Sequence, residues 1–477
     1  MAESRRLLRN LVSLSTGEVT SRLIGFTAFA LLARRLDPNE YGAVEFAVAL
    51  ALFFAMVVDF GLETIGARSI SRNRNEVARL AAQIPAARLL MALIAVPVMG
   101  AVAMVSGQPE TTVHLVWLFS IGLFAVPWFQ RWLFQGLEMM DWVSLGQVIR
   151  SAVFCLGVVI FVRGPADVLA VGQIEIMAAV AATVFYLYVQ QRRVAPVGLD
   201  FSPPAIRGLL RESASVGLSQ IVWASNQYMS TFLVAVLASA VELPWFGASQ
   251  RIVFAVVAFS WVYHFNLFPS LSRNLAESRP AFDALVRASF RSISWLGIMT
   301  SLAGVLFADV VCRIVFGDAF APAAAPLAIL VWAIPVTLLS GHARITLIAG
   351  GEQRFVFASQ IAGVVTTVIV GLATIPRYGA IAGAATTLAS YLAVWFAAHF
   401  FTVRRVVPLP LLGVLRPLAV AGIVYTLREL YAPSSIAAGV AALAGYVVFG
   451  PLLDRRFLAD IRQLLAVRRK RESTAAP

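Results

Sequence analysis

Fourteen apolar runs, each roughly 20 residues long, follow one another along this chain of 477 residues. A run of roughly 20 apolar residues is long enough to cross the hydrocarbon core of a bilayer as a helix. Transmembrane barrels are excluded because their strands alternate apolar and polar residues. We therefore expect an all-α polytopic membrane protein with about 14 transmembrane helices. The runs are 10–33, 41–62, 84–105, 112–135, 144–162, 166–189, 214–239, 245–270, 293–316, 322–340, 355–375, 378–401, 409–427 and 434–453.

Composition and loop length restrict the classes of function that this chain can have. The chain is 60% hydrophobic and 13% charged, against about a half and about a quarter in soluble proteins. The gaps between runs are short, so we expect no extramembrane domain. A membrane glycosyltransferase or glycan polymerase, the enzyme alternative, typically needs a sizeable outside loop. Here outside loops are as short as AVELP at 240–244 and PRYG at 376–379. The sequence therefore favours a transporter over an enzyme.

The basic residues are distributed unevenly between the gaps. The net charge is +13, and Lys470 is the only lysine among the 38 basic residues. In a soluble protein this excess would suggest nucleic acid as a partner. Here 27 of the 38 fall at the two ends and in alternate gaps, as the positive-inside rule requires of cytoplasmic segments. We expect an even number of spans, both termini in the cytoplasm and no nucleic-acid partner. The pair Arg34–Arg35 is the main exception, because it lies in a predicted outside gap.

Arginines within apolar runs are candidates for substrate binding. A charge inside a membrane is costly and usually faces a bundle interior or a wet cavity. Arg22 lies four residues after Glu18 and therefore on the same helix face. Arg22 and Arg251 predict a polar cavity that accepts an anion, because guanidinium stays charged and grips phosphate oxygens with a planar fork. Arg88 and Arg150 are further candidates, with pairing to a neighbouring carboxylate that holds helices together as the alternative.

Carboxylates within the runs are candidates for ion coupling. Glu45 and Asp59 are fourteen residues apart, about four helical turns, and so share one face. Together with Glu18 they are predicted to bind a driving cation, and hydrogen bonding between helices is the alternative for both Glu45 and Asp59. We expect no metal site, disulfide framework or cofactor. Cysteines and histidines lack ligand spacing at Cys155, Cys312, His114, His264, His342 and His399.

Four segments resemble one family in the correct order along nearly the whole chain. LLARRLDPNEYGAVEFAVALALFFAMVVDFGLETIGAR resembles the opening signature of bacterial polysaccharide-repeat flippases. These are the Wzx-like branch of the multidrug/oligosaccharidyl-lipid/polysaccharide (MOP) exporter superfamily. PWFGASQRIVFA, FADVVCRIVFGDAFAPAAAPLAILVW and IPRYGAIAGAATTLAS resemble later parts of the same pattern. In this family a basic pair commonly ends the first span, where Arg34–Arg35 stands.

The resemblance implies two six-helix lobes around a central cavity that opens to alternate sides of the membrane. We expect the N-terminal lobe at 1–198 and the C-terminal lobe at 199–405. Two additional transmembrane helices would occupy 406–454, and a basic cytoplasmic tail 455–477. Many relatives have twelve spans, and the extra pair also occurs in lipid II flippases of the superfamily.

The leading hypothesis is a flippase of the bacterial inner membrane that moves polyprenyl-pyrophosphate-linked oligosaccharide for surface polysaccharide synthesis. Its partners would be that lipid-linked oligosaccharide, the bilayer and the polysaccharide polymerase or export machinery. A lipid II flippase or a cation-coupled multidrug extruder of the same superfamily is the alternative. Arg22 and Arg251 argue against the extruder, because cationic drugs prefer a cavity dominated by carboxylates.

Overall fold

A computed structural model describes residues 2–432 and 435–454, so the predicted basic tail at 455–477 lies outside the described residues. The described residues are almost entirely helical and contain no strand, which confirms the predicted fold class. The α-helices are α1 Ala2–Arg35, α2 Pro38–Asp59, α3 Leu62–Arg72, α4 Val77–Val105, α5 Glu110–Ile121, α6 Arg131–Gly136, α7 Met140–Phe161, α8 Val168–Arg193, α9 Pro203–Leu237, α10 Glu242–Glu277, α11 Arg279–Leu306, α12 Ala308–Phe316, α13 Ala324–Leu330, α14 Ala333–Ala349, α15 Gln353–Arg405, α16 Leu412–Tyr431 and α17 Ile436–Leu453. Short 3₁₀ segments are Arg74–Glu76, Gly122–Trp128, Pro165–Asp167 and Asp318–Ala323.

Every predicted apolar run coincides, in its described part, with a helical segment. Seven helical passages among the described residues are long and apolar enough by themselves to cross a membrane, and the pair α11–α12, bent by 71°, would make an eighth. The longest of the seven is α15, whose 53 residues would extend about 80 Å if straight. That is well over twice the thickness of a hydrocarbon core, which is roughly 30 Å. A break at Gly379, with φ of 51°, divides it into two passages.

The chain forms two compact units. Unit 1 comprises residues 1–248 with the short segments 315–320 and 372–383, and unit 2 comprises the other described residues. The predicted lobe boundaries at 198 and 405 remain predictions.

In unit 1, α1 packs along α7, α2 along α9 and α5, and α7 along α8. Small residues allow the first of these contacts, because a side chain at Gly17 would collide with Ser144, and Ser21 Oγ lies 2.6 Å from Ser151 Oγ. The ring of Tyr41 meets the ring of Phe320 edge-on at 5.2 Å, which joins the segment 315–320 to this unit.

In unit 2, α11 packs against α14 and α16, and α16 packs against α17. Buried hydroxyls here bond mainly to carbonyls four residues earlier in their own helix. Ser294 Oγ donates to the Phe290 carbonyl at 2.7 Å, and Thr346 Oγ1 to the His342 carbonyl at 2.8 Å. Such bonds satisfy polar atoms inside an apolar core without a partner from another helix.

Candidate functional site

Arg22 is held by a neighbouring carboxylate but remains half exposed. Its Nε donates to Glu18 Oε1 at 2.6 Å, which confirms that the two share a helix face, and 51% of the Arg22 side chain is exposed. Glu18 is oriented in turn by Gln147 of α7, whose Nε2 donates to Oε2 at 3.1 Å. Within the described part of the chain, Arg22 makes no other hydrogen bond, so its terminal amino groups are available to an incoming anion.

Arg150 links two helices. Its Nη2 pairs with Glu175 of α8, and its guanidinium lies 5.9 Å from the centre of the Phe129 ring. The Arg150 side chain is 40% exposed and that of Glu175 16%. This arrangement matches the predicted helix-linking alternative, and a direct role in substrate binding stays a prediction.

Asp59 and Arg88 form a buried ion pair between α2 and α4. Only 1% of the Arg88 side chain is exposed, and its Nη2 pairs with Asp59 Oδ1. The same guanidinium lies 3.9 Å from Glu63 Oε2, and Glu63 accepts a 2.9 Å bond from Arg131 Nη2. Two carboxylates and two guanidiniums therefore balance one another. A balanced network of this kind joins helices, because a buried charge without its partner would be strongly destabilising.

Asp59 also shapes the turn after α2. Its two oxygens accept the backbone N–H groups of Gly61, at 3.2 Å, and Glu63, at 3.1 Å, at the start of α3. The chain reverses there through Phe60 and Gly61, which both have positive φ. Glu63 follows in α3, which lies between spanning helices. Burial would raise the pKa of Glu63, but the nearby Arg131 and Arg88 outweigh it and hold that pKa below its usual value.

Glu45 and Arg251 are placed by α2 and α10. Glu45 is only 4% exposed and packs on Gly247, where an added Cβ would come within 2.6 Å of Glu45 Cγ. The glycine of the PWFGASQR segment is thus required for close approach of this carboxylate. Arg251 is half-buried at the start of the part of α10 that belongs to unit 2. The predicted roles of both residues stay predictions.

The structure supplies a physical reason for the exceptional arginine pair. Arg35 Nη1 donates to three carbonyls at the end of α7, those of Val158, Val159 and Val162, at 2.7–3.0 Å. A cation is stabilising at a helix C-terminus, where carbonyls lack partners and the helix dipole is negative. Arg34 Nε donates to the Val315 carbonyl at 2.9 Å. Both arginines therefore bind backbone carbonyls. These contacts explain why a basic pair lies in a predicted outside gap, against the positive-inside rule.

Three histidines lie together in unit 2, an arrangement that no sequence pattern predicted. His264 of α10, His342 of α14 and His399 of α15 are 3%, 0% and 7% exposed. The Phe290 ring lies between two of them, with centroid distances of 5.9 Å to His342 and 5.6 Å to His399. Their spacing along the chain carries no local pattern, so only packing reveals the cluster. Among the described residues no group of three or more ligand side chains is arranged to hold a metal ion.

Comparisons with known proteins agree on a single class of protein, the membrane transporters. Residues 7–275 match the family described as "Polysaccharide biosynthesis protein". A protein of Escherichia coli (strain K12) named "Putative O-antigen transporter" is 22% identical over 319 residues, which are 66% of this chain and 76% of that protein. A protein of the same name from Shigella dysenteriae is 21% identical over 56% of this chain and 67% of its own length.

Solved structures share the fold. The lipid II flippase MurJ in an inward closed conformation superposes with a TM-score of 0.74 at 11% identity, covering 94% of this chain and all of that one. An inward-facing multidrug resistance MATE family transporter of the MOP superfamily has a TM-score of 0.63 at 12% identity, covering 82% and 97%. At these identities the likeness establishes the fold alone.

Proposed function

Since this chain belongs to the polysaccharide biosynthesis protein family, as a Wzx-like multi-pass transporter of the MOP superfamily, we propose that it flips polyprenyl-pyrophosphate-linked oligosaccharide across the bacterial inner membrane. The oligosaccharide would be a repeat unit for surface polysaccharide, and the protein would work by alternating access. The two relatives named as O-antigen transporters support this class of cargo.

The observation that carries the proposal is the half-exposed guanidinium of Arg22 on α1. A pyrophosphate that leaves water loses hydration, and fixed positive charge with hydrogen-bond donors must replace it. Glu18 occupies one edge of the guanidinium and leaves the fork formed by the terminal amino groups. Arg251 is the corresponding candidate in unit 2, and its contribution is tested separately.

The remaining predicted site residues have defined places in this proposal. Arg88 and Arg150 are bound to Asp59 and Glu175, so we propose that they support the binding helices. Glu18, Glu45 and Asp59 remain the proposed carboxylates for coupling to a cation gradient.

A lipid II flippase is the second candidate function. The likeness to MurJ extends over 94% of this chain, whereas the MATE transporter covers 82%. Both candidates carry a polyprenyl pyrophosphate, so the same arginines would serve either cargo. The two cargoes differ in the glycan that is attached to the pyrophosphate.

Deleting the gene and identifying the lipid-linked intermediate that accumulates on the inner leaflet tests the proposal directly. Oligosaccharide repeat units on the carrier are the expected result. Accumulation of lipid II instead would assign the second function, and accumulation of neither would refute both.

Complementation of the deletion by point variants tests the anion site. Alanine removes charge and fork, whereas lysine keeps only the charge. We expect Arg22→Ala and Arg251→Ala each to abolish export, and both lysine variants to retain partial activity. Arg313→Ala is the control for Arg22, since Arg313 also pairs with a carboxylate four residues earlier, Asp309, at similar exposure (47%). Wild-type export by both alanine variants, at normal abundance, would remove these arginines from the binding site.

The arginine distribution also supports an orientation with both termini in the cytoplasm. Replacing Gln108, between α4 and α5, with cysteine in a cysteine-free background should allow labelling from the periplasmic side, and replacing Asn75 should not. The opposite pattern would reverse the proposed orientation. Association with polymerase or export machinery, the other proposed partner, is tested by co-purification of the two.

A further inference from the structure

Three imidazoles occupy the core of unit 2, although an apolar core needs none. His264, His342 and His399 come from α10, α14 and α15 and are all at least nine-tenths buried. By contrast, the exposed His114 on α5 lies at 3.9 Å from Glu110. A buried nitrogen without a hydrogen bond is destabilising, so an unsatisfied imidazole in such a place requires an explanation.

The hydrogen bonds of His342 define its open atom. His342 Nε2 lies 2.8 Å from Ser289 Oγ, and that hydroxyl is within 2.8 Å of the Leu285 carbonyl and 3.1 Å of the Val286 carbonyl. With the hydroxyl hydrogen donated to a carbonyl, Nε2–H donates to Oγ, and Nδ1 keeps a lone pair. Within the described chain, His342 Nδ1 is buried and accepts no hydrogen bond.

The other two histidines pack around the same point. His264 lies against Gly341, where a Cβ would come within 2.7 Å of His264 Nδ1, and its Nε2 is 3.0 Å from the Leu338 carbonyl. The His399 ring stacks on the Phe290 ring, and the Phe290 ring also lies against His342. His399 Nδ1 is likewise buried with no hydrogen bond to a described residue.

A small cavity adjoins this cluster at Phe290. Phe290, the ring between His342 and His399, lines it together with Leu409. The charged residues in its lining are Arg287, Arg291, Arg416 and Asp454, and Pro410, Leu412 and Gly413 complete it. The Phe290 ring thus belongs both to the cavity lining and to the histidine cluster.

The groups around His342 oppose its charging in the present conformation. Burial disfavours an imidazolium, and so does nearby positive charge. The titratable and charged groups that interact with the cluster or line the cavity are Tyr263 and His264 on α10, Arg287 and Arg291 on α11, Arg344 on α14, His399 on α15, Arg416 on α16 and Asp454 after α17. Most are cationic or neutral, so proton uptake requires a conformation in which water reaches Nδ1.

We propose that His342 is a proton-binding site of the transport cycle, with Nδ1 as the acceptor and Ser289 as the residue that fixes its orientation. The inference rests on the proposed transport function and concerns what drives it. In the closed core the imidazole is neutral. When the ring of Phe290 moves aside, Nδ1 takes one proton from water in the cavity and forms an imidazolium. In the conformation that opens to the other side of the membrane, the imidazolium returns that proton to water on that side. Uptake and release on opposite sides couple the proton gradient to the conformational cycle.

The test uses the full-length protein in liposomes with a fluorescent polyprenyl-pyrophosphate-linked oligosaccharide and an imposed pH gradient. For one coupled proton, a gradient of one pH unit should shift the ratio of cargo between leaflets about tenfold in the wild type. We expect His342→Gln to equilibrate cargo between leaflets with no gradient effect, and Ser289→Ala, which keeps the imidazole, to weaken the effect. The matched control, His114→Gln, should behave as wild type. A full gradient response in His342→Gln overturns the inference.

Two further measurements separate this inference from the proposed function. Glu45→Gln and Asp59→Asn in the same assay place the coupling site in unit 1 if they, and not His342→Gln, lose the gradient response. Flipping that ignores the gradient in the wild type would refute proton coupling and leave the flippase function standing. If this cargo is not flipped at all, NMR of ring-labelled histidine still decides, because the protein has only four histidines. Because the closed core keeps His342 neutral, we expect an imidazolium form that exchanges with the neutral form as the pH is lowered from about 8 to 5, and the absence of such exchange overturns the proton site.

Discussion

The two units contain different kinds of buried polar group. Among the residues of unit 1 whose burial the structure describes, the buried charged side chains are Glu45, Asp59 and Arg88, whereas the three buried histidines all belong to unit 2. In the described part of unit 2, Asp454 is the only charged side chain buried to the same degree, and it stands after the last helix.

The two units therefore differ in the chemistry of their buried polar groups, which are charged side chains in unit 1 and imidazoles in unit 2. In unit 1, Asp59 and Arg88 form an ion pair, in which each charge offsets the burial of the other. An imidazole changes charge near neutral pH and does so when its surroundings change. Unit 1 therefore has buried ion-paired side chains that join helices, and unit 2 has buried imidazoles, one of which is the proposed proton site.

The largest expected effect is that of breaking the buried pair in unit 1. Arg88→Leu leaves the Asp59 carboxylate buried without its main partner, and this should cost about 3–5 kcal/mol of stability. Thermal unfolding of the detergent-solubilised protein, followed by tryptophan fluorescence, measures the loss.

A double variant controls for the loss of the arginine itself. Asp59→Asn keeps an oxygen to accept the N–H groups that start α3, and combined with Arg88→Gln it removes both charges. It should recover most of the stability lost in Arg88→Leu. A double variant no more stable than the single one would show that charge pairing is not what Arg88 provides.

An intermediate effect is expected for Arg35, which interacts with backbone and not with a carboxylate. Arg35→Ala removes the donor to three carbonyls of α7 and should cost about 1–2 kcal/mol. The exposed Arg163→Ala, just beyond the same helix, is the control and should unfold like the wild type. Equal melting temperatures for the two variants would contradict the capping role.

The smallest effect on stability is expected at the histidine cluster. His342→Leu removes an unsatisfied nitrogen, and Ser289 keeps its bonds to the carbonyls of its own helix. The variant should therefore unfold within about 1 kcal/mol of the wild type. A loss as large as that of Arg88→Leu would mean that the imidazole stabilises unit 2 as the ion pair does unit 1, and the contrast between the units would fail.

Hydropathy and local spacing determined the fold class and one side-chain pair. Apolar runs of bilayer length predict helices wherever they occur, since the backbone must satisfy its own hydrogen bonds in lipid. The pairing of Glu18 with Arg22 follows from four-residue spacing on one helix, and the structure confirms it. The ordered sequence motifs likewise predicted the family correctly.

Tertiary structure alone decided the contacts between distant helices. Asp59 pairs with Arg88, which lies 29 residues further along the chain, and Arg35 bonds to carbonyls of α7 that are more than 120 residues away in sequence. Nor does the sequence place His342 between Ser289 and Phe290, or beside His264 and His399. Hydropathy and helical period describe each segment alone, whereas these contacts depend on which faces of separate helices pack together. That packing is a property of the whole fold. It depends in part on glycines such as Gly247 and Gly341, which let a polar side chain lie against the backbone.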